Sequence, residues 1–178
     1  MRLRTALIGC GKVGATHADA LAALPASDLV AVCDRTQAGA DAFAARYGVA
    51  AFTDVATMVR EAGVQAVSVC TPHPVHAGAI EAAAANGAHV LVEKPLAATL
   101  ADCDRAIAAC EAAGVALGVI SQRRLYPPIL RMKAAIDEGR IGRPVLATVD
   151  ILGWRTVGDR RETRFTVRMR KGAVGEKT

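Results

Sequence analysis

The chain has 178 residues, of which 52% are hydrophobic, and a formal net charge of +5. This length is enough for a domain with a sizeable buried core, and no apolar run reaches the roughly 20 residues of a membrane-spanning helix. Five cysteines without C-x-x-C spacing favour buried thiols in a reducing compartment over disulfides or a metal site. The composition therefore predicts a cytoplasmic protein with no membrane contact and no metal.

Strand-like and helix-like segments alternate along most of the chain. Runs rich in Val, Ala, Leu and Ile predict strands, and the segments between them predict helices, most of which end before a glycine suited to a left-handed cap. The predicted strands span residues 3–8, 29–33, 50–52, 66–70, 89–92 and 116–120, and the predicted helices span residues 13–24, 38–47, 55–62, 75–86, 100–113 and 128–138. Repeated βα units with apolar strands predict an α/β fold, a doubly wound parallel sheet of Rossmann type.

The first predicted strand runs into a G-x-G-x-x-G loop at residues 9–14 and then into a helix. The first glycine permits a tight exit from the strand, the second lets the backbone approach a phosphate, and the third lets the helix pack closely on the sheet. The helix N-terminus that follows favours an anion. The loop predicts a dinucleotide site whose candidate cofactor-binding residues are Gly9, Gly11, Lys12, Val13 and Gly14.

Cys10 lies inside this loop, where we interpret it as a small residue that fills a tight turn. A nucleophilic role is the less favoured alternative.

The second predicted strand ends in Asp34, at the distance from the glycine loop where an acid holds the ribose hydroxyls of NAD. Capping of the helix that begins near Thr36 is an alternative role for Asp34, and it is compatible with ribose binding. Arg35 is suited to the 2′-phosphate of NADP. Both cofactors therefore stay open, and Asp34 favours NAD.

Three polar clusters follow the fourth, fifth and sixth predicted strands. They are Thr71-Pro72-His73-Pro74-Val75-His76, Glu93-Lys94-Pro95 and Ser121-Gln122-Arg123-Arg124. Because ligands of such sheets bind beyond the carboxyl ends of the strands, we expect the clusters to converge at one edge.

Together these motifs resemble the Gfo/Idh/MocA family, named for glucose-fructose oxidoreductase and inositol dehydrogenase, in which G-x-G-x-x-G, T-P-x-x-x-H and E-K-P follow in this order. His17 and the segments 87–96, 124–127 and 138–142 also resemble its N-terminal domain, and the resemblance spans residues 3 to about 155. It implies an oxidoreductase with NAD or NADP as cofactor. Its expected reaction is hydride transfer between the nicotinamide and a hydroxyl-bearing carbon of a sugar, inositol or related polyol.

The resemblance also assigns roles to individual residues. Lys94 is the candidate catalytic residue, because a lysine at a strand end can take the hydroxyl proton when its surroundings favour the neutral amine. Pro95 keeps the backbone of Lys94 out of the helical region. The alternative is a surface lysine paired with Glu93. The further candidate cofactor contacts are Thr71, Pro72 and His76 along the cofactor, Glu93 at the nicotinamide ribose, and Gln122 and Arg123 at the carboxamide.

The histidines receive other interpretations as well. The alternative for His76 is a structural residue in the first turn of its helix, and His17 and His89 are interpreted as structural.

After about residue 155 the chain no longer resembles this family. Family members continue into a mixed-sheet substrate domain, and residues 144–152 resemble its first strand. We predict a cofactor domain at 1–122, a connecting helix and first strand of a truncated substrate domain at 123–155, and a basic tail at 156–178. Turnover is expected to need a second domain, so a non-catalytic dinucleotide-binding module or a truncated remnant stays an alternative.

Residues 153–178 carry the whole charge excess, with eight basic and three acidic side chains. A basic arm can bind nucleic acid, which is the least favoured function because the tail has no interleaved aromatic residue beyond Phe165 and no recognisable nucleic-acid-binding fold. Alternating apolar and polar residues from 163 to 170 predict an edge strand that pairs with residues 144–152 as a hairpin. An open strand edge favours homo-oligomerisation.

Overall fold

The structure is a computed structural model that describes residues 1–153 and 163–171. The chain divides into two units, Met1–Ser121 and Gln122–Thr178.

The first unit is an α/β domain with six strands, five α-helices and a short 3-10 turn (His73–Val75). Its strands are β1 (Leu3–Ile8), β2 (Ser27–Cys33), β3 (Ala50–Phe52), β4 (Ala66–Val69), β5 (His89–Val92) and β6 (Leu117–Val119). Its helices are α1 (Lys12–Ala23), α2 (Gln37–Tyr47), α3 (Val55–Glu61), α4 (His76–Ala84) and α5 (Leu100–Ala113). The doubly wound fold predicted from the sequence is confirmed, and strand and helix ends differ from the prediction by at most two residues.

The strands form one parallel sheet in the order β3-β2-β1-β4-β5-β6. The chain winds outward from β1 in one direction and then, from β4, in the other. The strand order therefore reverses between β1 and β4, which is where such sheets bind their ligands. Because every strand is parallel, all carboxyl ends lie along the same edge.

Apolar side chains cover both faces of this sheet. Along β1, Ala6 and Ile8 belong to a cluster that includes the buried residues of α3, α4 and α5, whereas Leu7 belongs to a cluster with Ala18 of α1 and Ala44 of α2. This alternation follows from the two-residue period of a strand. It explains why the strands read as continuous apolar runs.

Local signals set the helix ends. Thr36, Asp54 and Thr99 cap α2, α3 and α5 by accepting hydrogen bonds from main-chain N–H groups three residues ahead. Gly48 and Gly114 end α2 and α5 in the left-handed conformation that glycine adopts at low cost.

The second unit contains a short 3-10 turn (Gln122–Leu125), helix α6 (Pro127–Asp137) and the strands β7 (Pro144–Gly153) and β8 (Thr163–Lys171). These strands pair antiparallel, from Pro144 opposite Lys171 to Gly153 opposite Thr163, so the predicted hairpin is confirmed. Residues 154–162 and 172–178, which include Trp154, Arg155 and much of the predicted basic tail, lie outside the described residues. No described helix combines the length and apolarity needed to cross a bilayer.

Candidate dinucleotide site

The strand ends of the first unit lie side by side, because main-chain hydrogen bonds continue past the strands. Gly9 N–H donates to Cys33 O over 2.8 Å, and Cys70 N–H donates to Ile8 O over 2.7 Å. One strand further along, Glu93 N–H donates to Val69 O over 2.9 Å. The glycine loop, the Thr71 segment and the Glu93 segment therefore start from the same edge, as the sequence predicts.

The glycine loop needs glycine at two of its three positions for packing. Gly9 has a φ of +101°, and a Cβ there would lie 2.8 Å from the main chain of Cys70 and Thr71. A Cβ on Gly14 would lie 2.1 Å from Gly9 O, so α1 packs against the loop at closest approach. A Cβ on Gly11 would meet nothing within 4 Å, although Gly11 caps α1. Open space at Gly11 is where a phosphate needs to approach the backbone.

Asp34 is held between the loop and α2. Its Oδ2 accepts from Cys10 N–H over 3.0 Å, and its Oδ1 accepts from Thr36 N–H over 3.1 Å. Burial acts to raise the pKa of Asp34, but the hydrogen bonds from Cys10 and Thr36 and the charge of Arg35 outweigh it, so the pKa is lowered. Helix α2 is capped by the side chain of Thr36 and not by Asp34. Because its pKa is lowered, Asp34 carries an ionised carboxylate at the tip of β2.

Cys10 is a poor nucleophile in this loop. Burial, followed by the nearby charges of Asp34 and Cys33, raises the pKa of the Cys10 thiol to about 12. Because the thiolate is the reactive form, the structure favours the interpretation of Cys10 as a filler of the turn. All five cysteines are free thiols.

The Thr71 segment leaves a polar group unused. Thr71 Oγ1 is buried and has no hydrogen-bond partner within the part of the chain that the structure describes. Buried hydroxyl groups nearly always have a partner, so this one is available to a ligand at the edge of the sheet. Pro72 follows in extended conformation and is exposed.

His76 is the first residue of α4, and its side chain is fully buried. Its Nε2 lies 2.8 Å from Thr71 O and its Nδ1 lies 2.9 Å from Pro95 O. Both ring nitrogens are thus engaged by the main chain, and His76 ties the segment after β4 to the segment after β5. The cofactor contact predicted for His76 stays a prediction.

Glu93 and Lys94 stand directly after β5. Glu93 Oε2 accepts from Lys94 N–H over 3.1 Å, and Glu93 Oε1 lies 3.2 Å from His17 Nε2. The Lys94 side chain is exposed, and among the described residues its ammonium group has no ion pair, so the alternative pairing with Glu93 is not formed. The peptide bond between Lys94 and Pro95 is cis.

The remaining predicted residues lie on the surface. Lys12, Val13 and Arg35 are exposed around the loop and the β2 tip, and Gln122 and Arg123 are exposed in the 3-10 turn of the second unit. Their cofactor contacts stay predictions.

Sequence reasoning did not predict the contacts of His17 with Ser68 and Glu93. Ser68 Oγ lies 2.7 Å from His17 Nδ1 behind Glu93. Two features mark these residues. Ser68 is a buried polar residue inside an otherwise apolar strand. His17 lies on α1 between the buried residues Gly14 and Ala18.

These features fit a dinucleotide. The two close-packed glycines hold the loop, and open space at Gly11 admits a phosphate. The Thr71 hydroxyl, which has no hydrogen-bond partner among the described residues, lies at the same edge. An ionised Asp34 at the β2 tip suits a pair of ribose hydroxyls. The fold and site define a dinucleotide-binding Rossmann domain.

The chain belongs to the GFO_IDH_MocA family, whose model, described as an oxidoreductase family with an NAD-binding Rossmann fold, matches residues 3–121. The resemblance inferred from the motifs is confirmed.

Curated relatives match over most of the chain but over less than half of their own length. D-apiose dehydrogenase of Paraburkholderia graminis is 35% identical over 144 residues, which are 80% of this chain and 38% of the relative. Inositol 2-dehydrogenase 1 of Saccharopolyspora erythraea is 39% identical over 150 residues, which are 82% of this chain and 44% of the relative.

Solved structures give the same coverage. The WlbA dehydrogenase of Bordetella pertussis, crystallised with NADH and UDP-GlcNAcA, matches with a TM-score of 0.79 and 33% identity over 84% of this chain and 47% of that chain. An NAD-binding oxidoreductase from Klebsiella pneumoniae matches with a TM-score of 0.76 and 35% identity, over 84% of this chain and 42% of its own.

Proposed function

We propose that this chain carries the cofactor-binding part of an NAD(P)-dependent oxidoreductase that acts on a hydroxyl group of a sugar, inositol or related polyol. The observation that supports this proposal most strongly is the geometry of the glycine loop. Gly9 and Gly14 leave no room for a side chain, whereas the space around Gly11 is open. The substrate class is supported by relatives whose names specify D-apiose and inositol.

In this proposal each strand end holds one part of the cofactor. The loop at residues 9–14 binds the pyrophosphate, Asp34 binds the adenosine ribose, and Thr71 and Glu93 lie toward the nicotinamide. Bound NAD supplies the hydride acceptor. An ionised carboxylate repels a 2′-phosphate, so Asp34 favours NAD over NADP, while the neighbouring Arg35 gives NADP its remaining affinity.

Lys94 is the proposed proton acceptor. As hydride leaves the hydroxyl-bearing carbon, the hydroxyl proton passes to Lys94 Nζ, which gives a carbonyl product and an ammonium group. The position of Lys94 after β5 supports this role, since ligands of parallel sheets gather at the carboxyl ends of strands. Among the described residues the side-chain nitrogen of Lys94 is not paired with Glu93, so its neutral amine would be available to a substrate hydroxyl.

Cofactor binding without turnover is a second candidate function. The observation that favours it is the exposure of Lys94 in this structure, because a lysine base needs surroundings that favour the neutral amine.

Two measurements on the whole chain separate these functions. Titration of NADH fluorescence is expected to show saturable binding, stronger than that of NADPH, and absence of both would contradict the proposal. NADH formation from NAD with inositol isomers, D-apiose and related sugars then tests turnover. Lys94→Ala is expected to keep NADH affinity within about twofold and to abolish any turnover.

We also propose that the chain forms homo-oligomers through the sheet of β7 and β8, because within the described residues this sheet has two strands and therefore two outer edges. Light scattering on the purified chain is expected to give more than the 18.4 kDa of one copy; a monomer at all concentrations would contradict this.

A further inference from the structure

We propose that His17 is a positioning residue that fixes the Glu93 carboxylate and, through it, the main chain of Lys94. The link to the cofactor rests on the proposed function, whereas the effect on the Lys94 main chain does not. No sequence motif assigned His17 more than a structural role.

The geometry is a bridge between distant parts of the chain. His17 Nε2 lies 3.2 Å from Glu93 Oε1, 76 residues away, and His17 Nδ1 lies 2.7 Å from Ser68 Oγ, 51 residues away. The side chains of His17 and Glu93 are only 14% and 16% exposed. At this burial a hydrogen bond to a carboxylate is screened little by water.

The donors and acceptors of the bridge form one consistent chain. A carboxylate only accepts, so His17 Nε2–H donates to Glu93 Oε1; with a neutral imidazole, His17 Nδ1 then accepts from the Ser68 hydroxyl. Cys70 Sγ lies 3.9 Å from Ser68 Oγ, where its S–H can donate to that oxygen. At the other end, Glu93 Oε2 accepts from Lys94 N–H over 3.1 Å. Each polar atom has a partner, and neutral His17 has one defined tautomer.

The hydrogen-bonded bridge connects three elements of the first unit. His17 lies on α1, the helix that begins at the glycine loop, whereas Glu93 and Lys94 follow β5. Strand β4 separates β1 from β5 in the sheet, and Ser68 of β4 supports the histidine between them. One side chain therefore couples the helix at the proposed pyrophosphate site to the proposed proton acceptor.

Two conservative substitutions separate positioning from packing. In His17→Gln the side-chain amide replaces Nε2 and can still donate to Glu93, whereas in His17→Asn it replaces Nδ1 and reaches only Ser68. Loss of packing alone affects both variants, and more so the smaller asparagine. His89→Gln is the matched control, because His89 is also hydrogen-bonded, through Nδ1 to Ala116 N–H, but stands at the opposite end of β5.

The first readout is the amide resonance of Lys94 in the nitrogen-15 spectrum of the cofactor-free chain. A hydrogen bond to a carboxylate moves this proton downfield. We expect the shift to be kept in His17→Gln and His89→Gln and lost in His17→Asn. Glu93→Gln, with nearly the same shape, is expected to lose it too and supplies the test from the other partner if His17→Asn does not fold.

The second readout compares NADH with ADP-ribose, which lacks the nicotinamide. We expect His17→Asn to weaken NADH about fivefold and ADP-ribose less than twofold, with His17→Gln within about twofold of the parent for both ligands. A general loss of structure would weaken both ligands together.

The experiments test positioning by His17 independently of NADH binding, on which the proposed function depends. Equal effects of His17→Asn and His17→Gln on the Lys94 amide, or an unchanged amide in His17→Asn, overturn positioning by His17. Parallel loss of NADH and ADP-ribose also overturns its link to the nicotinamide end. If the parent chain binds no NADH, the proposed function fails and the Lys94 amide alone decides whether His17 positions the main chain.

Discussion

The glycines of residues 9–14 have different structural roles, although the G-x-G-x-x-G motif does not distinguish them. Gly14 packs against Gly9 O, whereas Gly11 has free space around its Cα and a φ of −95° that any residue adopts. Stability and binding are therefore separable within one loop.

We expect Gly14→Ala to destabilise the chain by at least about 2 kcal/mol, because the new methyl group overlaps a carbonyl oxygen. Gly11→Ala is its control: it is expected to change the free energy of unfolding by less than about 1 kcal/mol while abolishing NADH binding. Urea unfolding and NADH titration measure the two effects. Gly11→Ala with full NADH affinity would argue against a phosphate at this position.

At Asp34 the expected effect depends on pH. The pKa of Asp34 is lowered on folding, so its ionised form stabilises the chain above the pKa of an unfolded aspartate, about 4, and this stabilisation disappears as the pH falls through the lower folded value. Asp34→Asn is expected to cost about 1–2 kcal/mol at pH 7 and progressively less below pH 4.

Urea unfolding of both proteins between pH 3 and 7 checks this expectation. A cost that grows on acidification would contradict the role of the ionised carboxylate. In the same variant the preference for NADH over NADPH is expected to fall.

The thiol of Cys10 is expected to resist alkylation. Because burial raises the pKa of the Cys10 thiol to about 12, this thiol stays almost entirely protonated at pH 8. Peptide mapping after iodoacetamide treatment, with glutathione as the reference thiol, is expected to show slower modification of Cys10 and a rate that still rises at pH 10. Rapid modification of Cys10 at pH 7 would revive a nucleophilic role.

At the scale of elements, helix caps set local stability without touching the site. Thr99 Oγ1 accepts from Asp102 N–H over 3.1 Å and donates to Asp102 Oδ2 over 2.8 Å at the start of α5. Thr99→Ala is expected to cost about 1 kcal/mol in urea unfolding and to leave NADH affinity unchanged. Loss of NADH affinity in this variant would show that binding responds to any loss of stability.

The elements themselves could be predicted because their signals are local. Strand β5 is a short apolar run after Gly87, and α5 lies between the cap Thr99 and Gly114, so both were predicted with the observed ends. The contacts of His17 and His76 could not be predicted in this way. They join residues on different elements, and no pattern within either element specifies the partner.

At the scale of the whole molecule, the candidate site residues other than Gln122 and Arg123 belong to the first unit. Both hydrophobic clusters and the hydrogen bonds of Asp34, His76 and Glu93 lie within Met1–Ser121. A chain ending at Ser121 is therefore expected to fold cooperatively and to bind NADH with an affinity within about tenfold of that of the full chain. Any loss of affinity would measure the predicted cofactor contacts of Gln122 and Arg123, which the shorter chain lacks. Circular dichroism melting and NADH titration measure both properties; an unfolded fragment would contradict the independence of this unit.

Binding of NAD at the glycine loop and the neighbouring strand ends can be followed by titrating the nitrogen-15-labelled full chain with NAD and recording the amide chemical shifts. We expect saturable shifts concentrated at residues 9–14, at Asp34, and at residues 71 and 93–94. A folded chain with no shifts at these amides, or with shifts confined to the basic tail, would contradict NAD binding at this site.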